Sequence, residues 1–134
     1  MIDGECCDIC AAPLGTGVRW SVSIETQKCI WESPDSMPVV DFQEAYCFGL
    51  FCSENHAMET VNDYLMQVGA DALWSNVRPI ETCACCKNDF ETIVWHKVLA
   101  LQIERGPLHA LEPLEVEYVA RFCQKCVPLD LQSE

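Results

Sequence analysis

Eleven cysteines in 134 residues make sulfur the first chemistry to consider, and their spacing narrows what that chemistry can be. Three pairs are separated by two residues: Cys7/Cys10, Cys83/Cys86 and Cys123/Cys126. Random placement of the same cysteines would yield about 0.9 such pairs. A C-x-x-C turn presents two sulfurs to one ion, and a tetrahedral zinc site takes four ligands, so two turns complete one site. Cys83, Cys86, Cys123 and Cys126 form a C-x2-C-x36-C-x2-C array whose intervening segment can run out and return as a hairpin.

Cys7 and Cys10 must find partners elsewhere. Cys52 and His56, a Cys-x3-His pair at the end of an apolar stretch, complete a second set of four, with Cys47 and Cys6 competing for a place in it. Two Zn2+ ions are therefore expected. An odd cysteine count, and an opening Met-Ile-Asp-Gly-Glu-Cys-Cys without the basic and apolar regions of a signal peptide, argue against a disulfide framework and predict a cytoplasmic protein. Cys29, Cys47 and Cys85 read as small buried hydrophobes or incidental thiols. His96, in a strand, and His109, in a loop, read as polar surface groups.

The elements that must position these ligands follow from periodicity. Val18, Trp20, Val22 and Ile24 alternate with polar residues, as a strand with one buried face requires, and Ile93, Trp95, Leu99, Leu101 and Ile103 do nearly the same after the second C-x-x-C turn. Pro34 to Pro38 and Gly106 to Pro113 mark long loops, after which returning strands run from Val39 to Phe51 and from Leu114 to Phe122. Leu114, Val116, Tyr118, Ala120 and Phe122 are expected on one face of the second returning strand. Met58, Val61, Leu65 and Ala72 recur at helical spacing, with Ser53 or Asn55 placed to cap the start and Pro79 marking the linker that follows. A phenylalanine precedes the third ligand in each half, Phe51 and Phe122, and a tryptophan follows each first turn, Trp20 and Trp95. Two diverged copies of one unit explain the pattern.

The first half, with its Cys7-Asp-Ile-Cys10 turn, hairpin and Cys52-Ser-Glu-Asn-His56 at a helix start, resembles treble-clef zinc domains. The second half is similar to a zinc ribbon. The resemblance covers the ligand segments and their order, about a quarter of the chain, and implies fold and metal rather than function. The fold class expected is α+β: a small zinc-stabilised domain of two zinc-knuckle and β-hairpin units joined by a helix. Residues 1–77 form the treble-clef-like unit with the helix, residues 78–134 the ribbon-like unit, and the two pack as one globular domain.

Composition bounds the function. The formal net charge of -13 argues against nucleic acid or anionic lipid as a partner, and no apolar run approaches bilayer length. Residues 1–77 hold 12 acidic against 2 basic residues, which points to a basic protein as partner for an inhibitor, immunity-type protein or assembly factor. Vicinal Cys6/Cys7 and Cys85/Cys86 keep a thiol- or metal-responsive regulator as the alternative. A zinc enzyme is the third reading. Neither H-E-x-x-H nor H-x-E with a distant P-C-x-x-C occurs, Glu54 is the only carboxylate base beside a ligand set, and catalysis has no assigned residue.

Overall fold

The computed structural model describes residues 6–33, 35–72, 77–107 and 110–126. Its centre is a four-stranded antiparallel sheet in the order β2-β1-β5-β6, built from β1 (Val18–Ile30), β2 (Val39–Phe51), β5 (His96–Arg105) and β6 (Glu112–Phe122). Each hairpin contributes its first strand to the middle, so β1 and β5 pair with one another and with their own return strands. The register sets Val22 opposite Leu101 and Ile24 opposite Leu99. All four are buried and cluster with Ala57, Val61, Tyr64 and Leu65 of helix α1 (Glu54–Val68). That spacing is one stripe of a helix, so a single face of α1 meets the sheet. Phe51 and Phe122, the residues before the third ligands, are each 1% exposed in the same cluster.

Helix α1 is closed at both ends by its own sequence. The Ser53 hydroxyl accepts from the His56 backbone N–H at 3.3 Å, and Gly69, at φ +69°, takes the left-handed turn that ends it. The helical periodicity expected through Ala72 therefore stops earlier, because a left-handed glycine cannot continue the α-helix.

Three further expectations need correction. The second strand begins at His96, not Ile93: Ile93 and Val94 lie exposed in a turn after a short hairpin of β3 (Ile80–Thr82) and β4 (Asp89–Glu91), and Trp95 precedes the strand beneath the Lys28 ammonium. Strand β6 does not keep one apolar face. Its register slips where Ala120 pairs with Leu99 but Tyr118 with Ala100, so Val119 is inserted and turned inward while Leu114 and Val116 remain exposed. His96 is not a surface group: it is 2% exposed. His109 lies outside the described residues.

His96 belongs to a buried polar cluster. Its Nδ1 lies 2.8 Å from the Val94 carbonyl, and Arg121 Nη1 donates to its Nε2 at 2.8 Å and to Gln27 Oε1 at 3.4 Å. One neutral tautomer, Nδ1–H donating and Nε2 accepting, satisfies both contacts. Burial pushes the imidazole pKa down to about 4, with the Val94 carbonyl opposing the shift and the Arg121 cation reinforcing it. As pH falls below 6.5 the unfolded chain takes up a proton that the folded state refuses, so this contribution to stability is lost toward acid, down to about pH 4. In urea unfolding, the advantage of the native chain over His96→Gln should shrink by about 1–2 kcal/mol between pH 7 and pH 5. An unchanged gap would show that the imidazole is freely protonated in the fold.

Candidate metal centres

The two C-x-x-C turns that start the halves have the same backbone. Cys7 N–H donates to the Ala12 carbonyl at 2.9 Å and receives, on its own carbonyl, the Ala11 N–H at 2.8 Å. Cys83 N–H donates to the Asn88 carbonyl at 2.8 Å and receives the Lys87 N–H at 3.0 Å. Closing such a turn puts the residue after the second cysteine in the left-handed region, at φ +66° for Ala11 and +68° for Lys87. Neither is glycine, and both carry the steric cost of a Cβ there. Lys87 gains anchors in return: its Nζ bonds Asp71 Oδ2 and the Ala84 carbonyl, each at 2.8 Å.

Each turn is docked on the end of a strand that delivers the remaining ligands. Asp8 N–H donates to the Leu50 carbonyl at 2.9 Å, and Leu50 N–H returns a bond to Asp8 Oδ2 at 2.8 Å. Gly49 makes room for that carboxylate, since a Cβ there would stand 2.5 Å from Asp8 Oδ2 and 2.9 Å from the Phe51 ring. Phe51 then buries, Cys52 follows, Ser53 caps α1 and His56 projects from its first turn. In the second half Ala84 N–H donates to the Arg121 carbonyl at 2.9 Å, and β6 ends at Phe122 just before Cys123. A 3-10 turn, Gln124–Cys126, brings Cys126 beside it.

The result is two clusters: Cys7, Cys10, Cys52 and His56, and Cys83, Cys86, Cys123 and Cys126, with the ligand atoms of each within 4.8 Å of one another. The edges of a zinc tetrahedron measure about 3.8 Å between sulfurs and about 3.5 Å between sulfur and nitrogen. Here Cys10 Sγ lies 3.5 Å from Cys52 Sγ, and Cys86 Sγ lies 3.7 Å from Cys123 Sγ. His56 Nδ1 stands 3.5 Å from Cys7 Sγ and 3.4 Å from Cys52 Sγ. Each cluster can hold one metal ion.

Electrostatics within the clusters favour a cation. Burial alone would push the Cys7 thiol up, but backbone N–H groups of Cys10, Ile9 and Cys52, with the His56 side chain, bring it down to about 6. Cys83 is likewise brought down to about 7 against its burial, chiefly by the N–H groups of Cys123, Cys86 and Cys85. Their neighbours resist. Hydrogen bonding to Cys10, then burial and the nearby Cys7, raise Cys52 to about 11, and burial with the surrounding sulfurs raises Cys123 and Cys126. One thiolate per cluster is easily formed and the next is opposed by its charge; a divalent ion removes that opposition.

The other sulfurs stay outside both clusters. Cys6 is exposed in a bridge with Pro13, and Cys47 is exposed with its thiol toward the Gly49 carbonyl, so neither of the two competitors enters the first set. Cys29 is fully buried, and Cys85 donates to the Val68 carbonyl at 3.4 Å. Glu54 is exposed on the first turn of α1. The Asp8–Leu50 latch and the left-handed Ala11 and Lys87 are the contributors that sequence reasoning missed. No described helix is long and apolar enough to cross a membrane. Comparison with protein-family models, curated proteins and solved structures finds no match for the chain.

Two substitutions test this architecture from opposite directions. Ala11→Gly removes a Cβ from a left-handed position and should stabilise the metal-loaded fold by about 1 kcal/mol in chemical denaturation. Gly49→Ala should do the reverse, separating the first turn from β2, and competition with a chromophoric chelator should then register weaker metal retention at the first cluster alone. Equal loss from both clusters would show that the latch does not act locally.

Proposed function

We propose that the protein is a zinc-stabilised protein-interaction module of the cytoplasm, in which both zinc ions are structural and the acidic surface receives a basic protein. One observation carries the metal assignment: the sulfur–sulfur and sulfur–nitrogen separations match the edges of a zinc tetrahedron. The donors agree, since three thiolates with one imidazole, and four thiolates, are sets that select zinc among available divalent ions. Four protein ligands leave no coordination position for substrate, which favours structure over catalysis. The first set, at the start of a capped helix, is in keeping with a treble-clef-like unit over residues 1–77, and the second with a ribbon-like unit over residues 78–134.

Zinc here ties each turn to a strand end far away in sequence, work that a small apolar core does poorly alone. The interaction reading rests on charge. With seven thiolates against two Zn2+, the loaded protein carries about -16, a field that speeds encounter with a basic patch and repels nucleic acid. Exposure of Cys10 and Cys86, one ligand in each set, supports the second reading, a thiol-responsive regulator.

Protein purified without added metal should contain about two zinc ions per chain by elemental analysis. Cys83→Ser or Cys126→Ser should lower that to about one, while Cys29→Ser and Cys85→Ser should leave it unchanged. A content near zero with disulfides formed would remove the zinc reading. Reversible zinc release by mild oxidant, with altered partner binding, would favour the regulator.

A further inference from the structure

In both clusters a sulfur–sulfur contact joins the same two positions: the second cysteine of the turn and the cysteine that follows the strand-end phenylalanine. Cys10 Sγ lies 3.5 Å from Cys52 Sγ, and Cys86 Sγ lies 3.7 Å from Cys123 Sγ. Cys10 and Cys86 are exposed. The first cysteine of each turn is not: Cys7 is buried, and so is Cys83, whose sulfur accepts the Cys85 and Cys123 N–H groups at 3.4 and 3.3 Å. An oxidant arriving from solvent therefore meets Cys10 and Cys86 ahead of their turn partners.

These sulfurs are not held together by an ion alone. The Asp8–Leu50 bonds dock the first turn on β2, and the bond from Ala84 N–H to the Arg121 carbonyl docks the second on β6. Those bonds involve no ligand atom, so they persist when a ligand sulfur is modified, and each pair has to close by only about 1.5 Å to reach disulfide length. The bonds so formed join residues 42 and 37 positions apart, across the same gap between turn and strand end that an ion would bridge. A cross-link closing a loop of that size restricts the unfolded chain far more than one inside a C-x-x-C turn.

We propose that hydrogen peroxide converts each zinc cluster into a disulfide, Cys10–Cys52 and Cys86–Cys123, which takes over the connection made by the ion and keeps the zinc-free fold intact. The proposal rests on the thiol-responsive reading above and names its switch. The Cys10 thiolate attacks one peroxide oxygen, giving a sulfenic acid and releasing hydroxide; the Cys52 thiolate then attacks that sulfur, forming the S–S bond and expelling a second hydroxide. Two thiolates lose two electrons in all, and the peroxide O–O bond is reduced. Cys86 and Cys123 follow the same course. Cys7 with His56, and Cys83 with Cys126, are then the ligands left, too few to retain zinc.

The test treats the zinc-loaded full chain with hydrogen peroxide beside a chromophoric zinc indicator, then cleaves it without reduction. Cutting before Asp8 separates Cys7 from Cys10, and tandem mass spectrometry distinguishes Cys83 from Cys86. Bound zinc should fall from about two per chain to none. Free thiols should fall from 11 to seven as two disulfides form. Near-ultraviolet circular dichroism should survive this and be lost only when dithiothreitol and a chelator are added together. Combined Cys6→Ser and Cys47→Ser substitution, which removes the exposed thiols outside the clusters, should give the same two pairs. Cys7–Cys10 and Cys83–Cys86 bonds would overturn the pairing while leaving a thiol-responsive protein. Loss of the fold together with zinc would overturn the claim that the disulfides replace the ions. Zinc retained at a peroxide dose that oxidises a free cysteine peptide would overturn both the proposal and the reading beneath it.

Discussion

Four thiol and imidazole donors packed within 4.8 Å of one another cannot all release their protons unless a cation takes up the charge, and both ends of this molecule are built on that constraint. Each cluster joins a tight turn to a place where a strand finishes: Cys7 and Cys10 to the β2–α1 junction, Cys83 and Cys86 to the end of β6. The low-pKa sulfurs, Cys7 and Cys83, are buried and held by backbone N–H groups, whereas the likewise buried Cys123 is raised, so one ligand charge per cluster is paired with hydrogen bonds even before metal is considered. A cation at each cluster would add to the Asp8–Leu50 and Ala84–Arg121 hydrogen bonds that already dock turn on strand end, and would so couple folding to metal supply.

Between the clusters the sheet does the joining. Because β1 and β5 are the first strands of their hairpins and pair with each other, the two halves share one apolar face, and helix α1 covers it. Phe51 and Phe122 anchor that face at equivalent points, one residue before Cys52 and Cys123. Packing therefore places the last strand residue, and covalent geometry places the ligand beside it.

The ligand sets were legible because chelation imposes short, fixed spacing: C-x-x-C and Cys-x3-His are local patterns that tertiary context does not rewrite. Strand existence was legible for a similar reason, from alternation in Val18–Ile24 and Leu99–Ile103. What failed was anything decided by a neighbour across the sheet. The slip at Val119 turns the second half of β6 inward although Leu114, Val116, Tyr118, Ala120 and Phe122 occupy every second position, and pairing with Leu99 and Ala100 is what shows it. His96 carries no sign in sequence that Arg121, 25 residues away, will be its partner. Ala11 and Lys87 looked unremarkable because left-handed turns are usually marked by glycine.

The central β1–β5 pairing has a bearing on how the chain is made. During vectorial synthesis the first cluster, α1 and the β1/β2 hairpin are all complete once His56 and the helix have emerged, yet β1 has no neighbour on its other side until residues 96–105 arrive. At elongation rates of about 5–20 residues per second, that open strand edge, bearing the apolar Val22 and Ile24, persists for a few seconds. Early metal capture at Cys7, Cys10, Cys52 and His56 would hold the nascent half in shape through that interval, so the order of ligands along the chain doubles as an order of assembly.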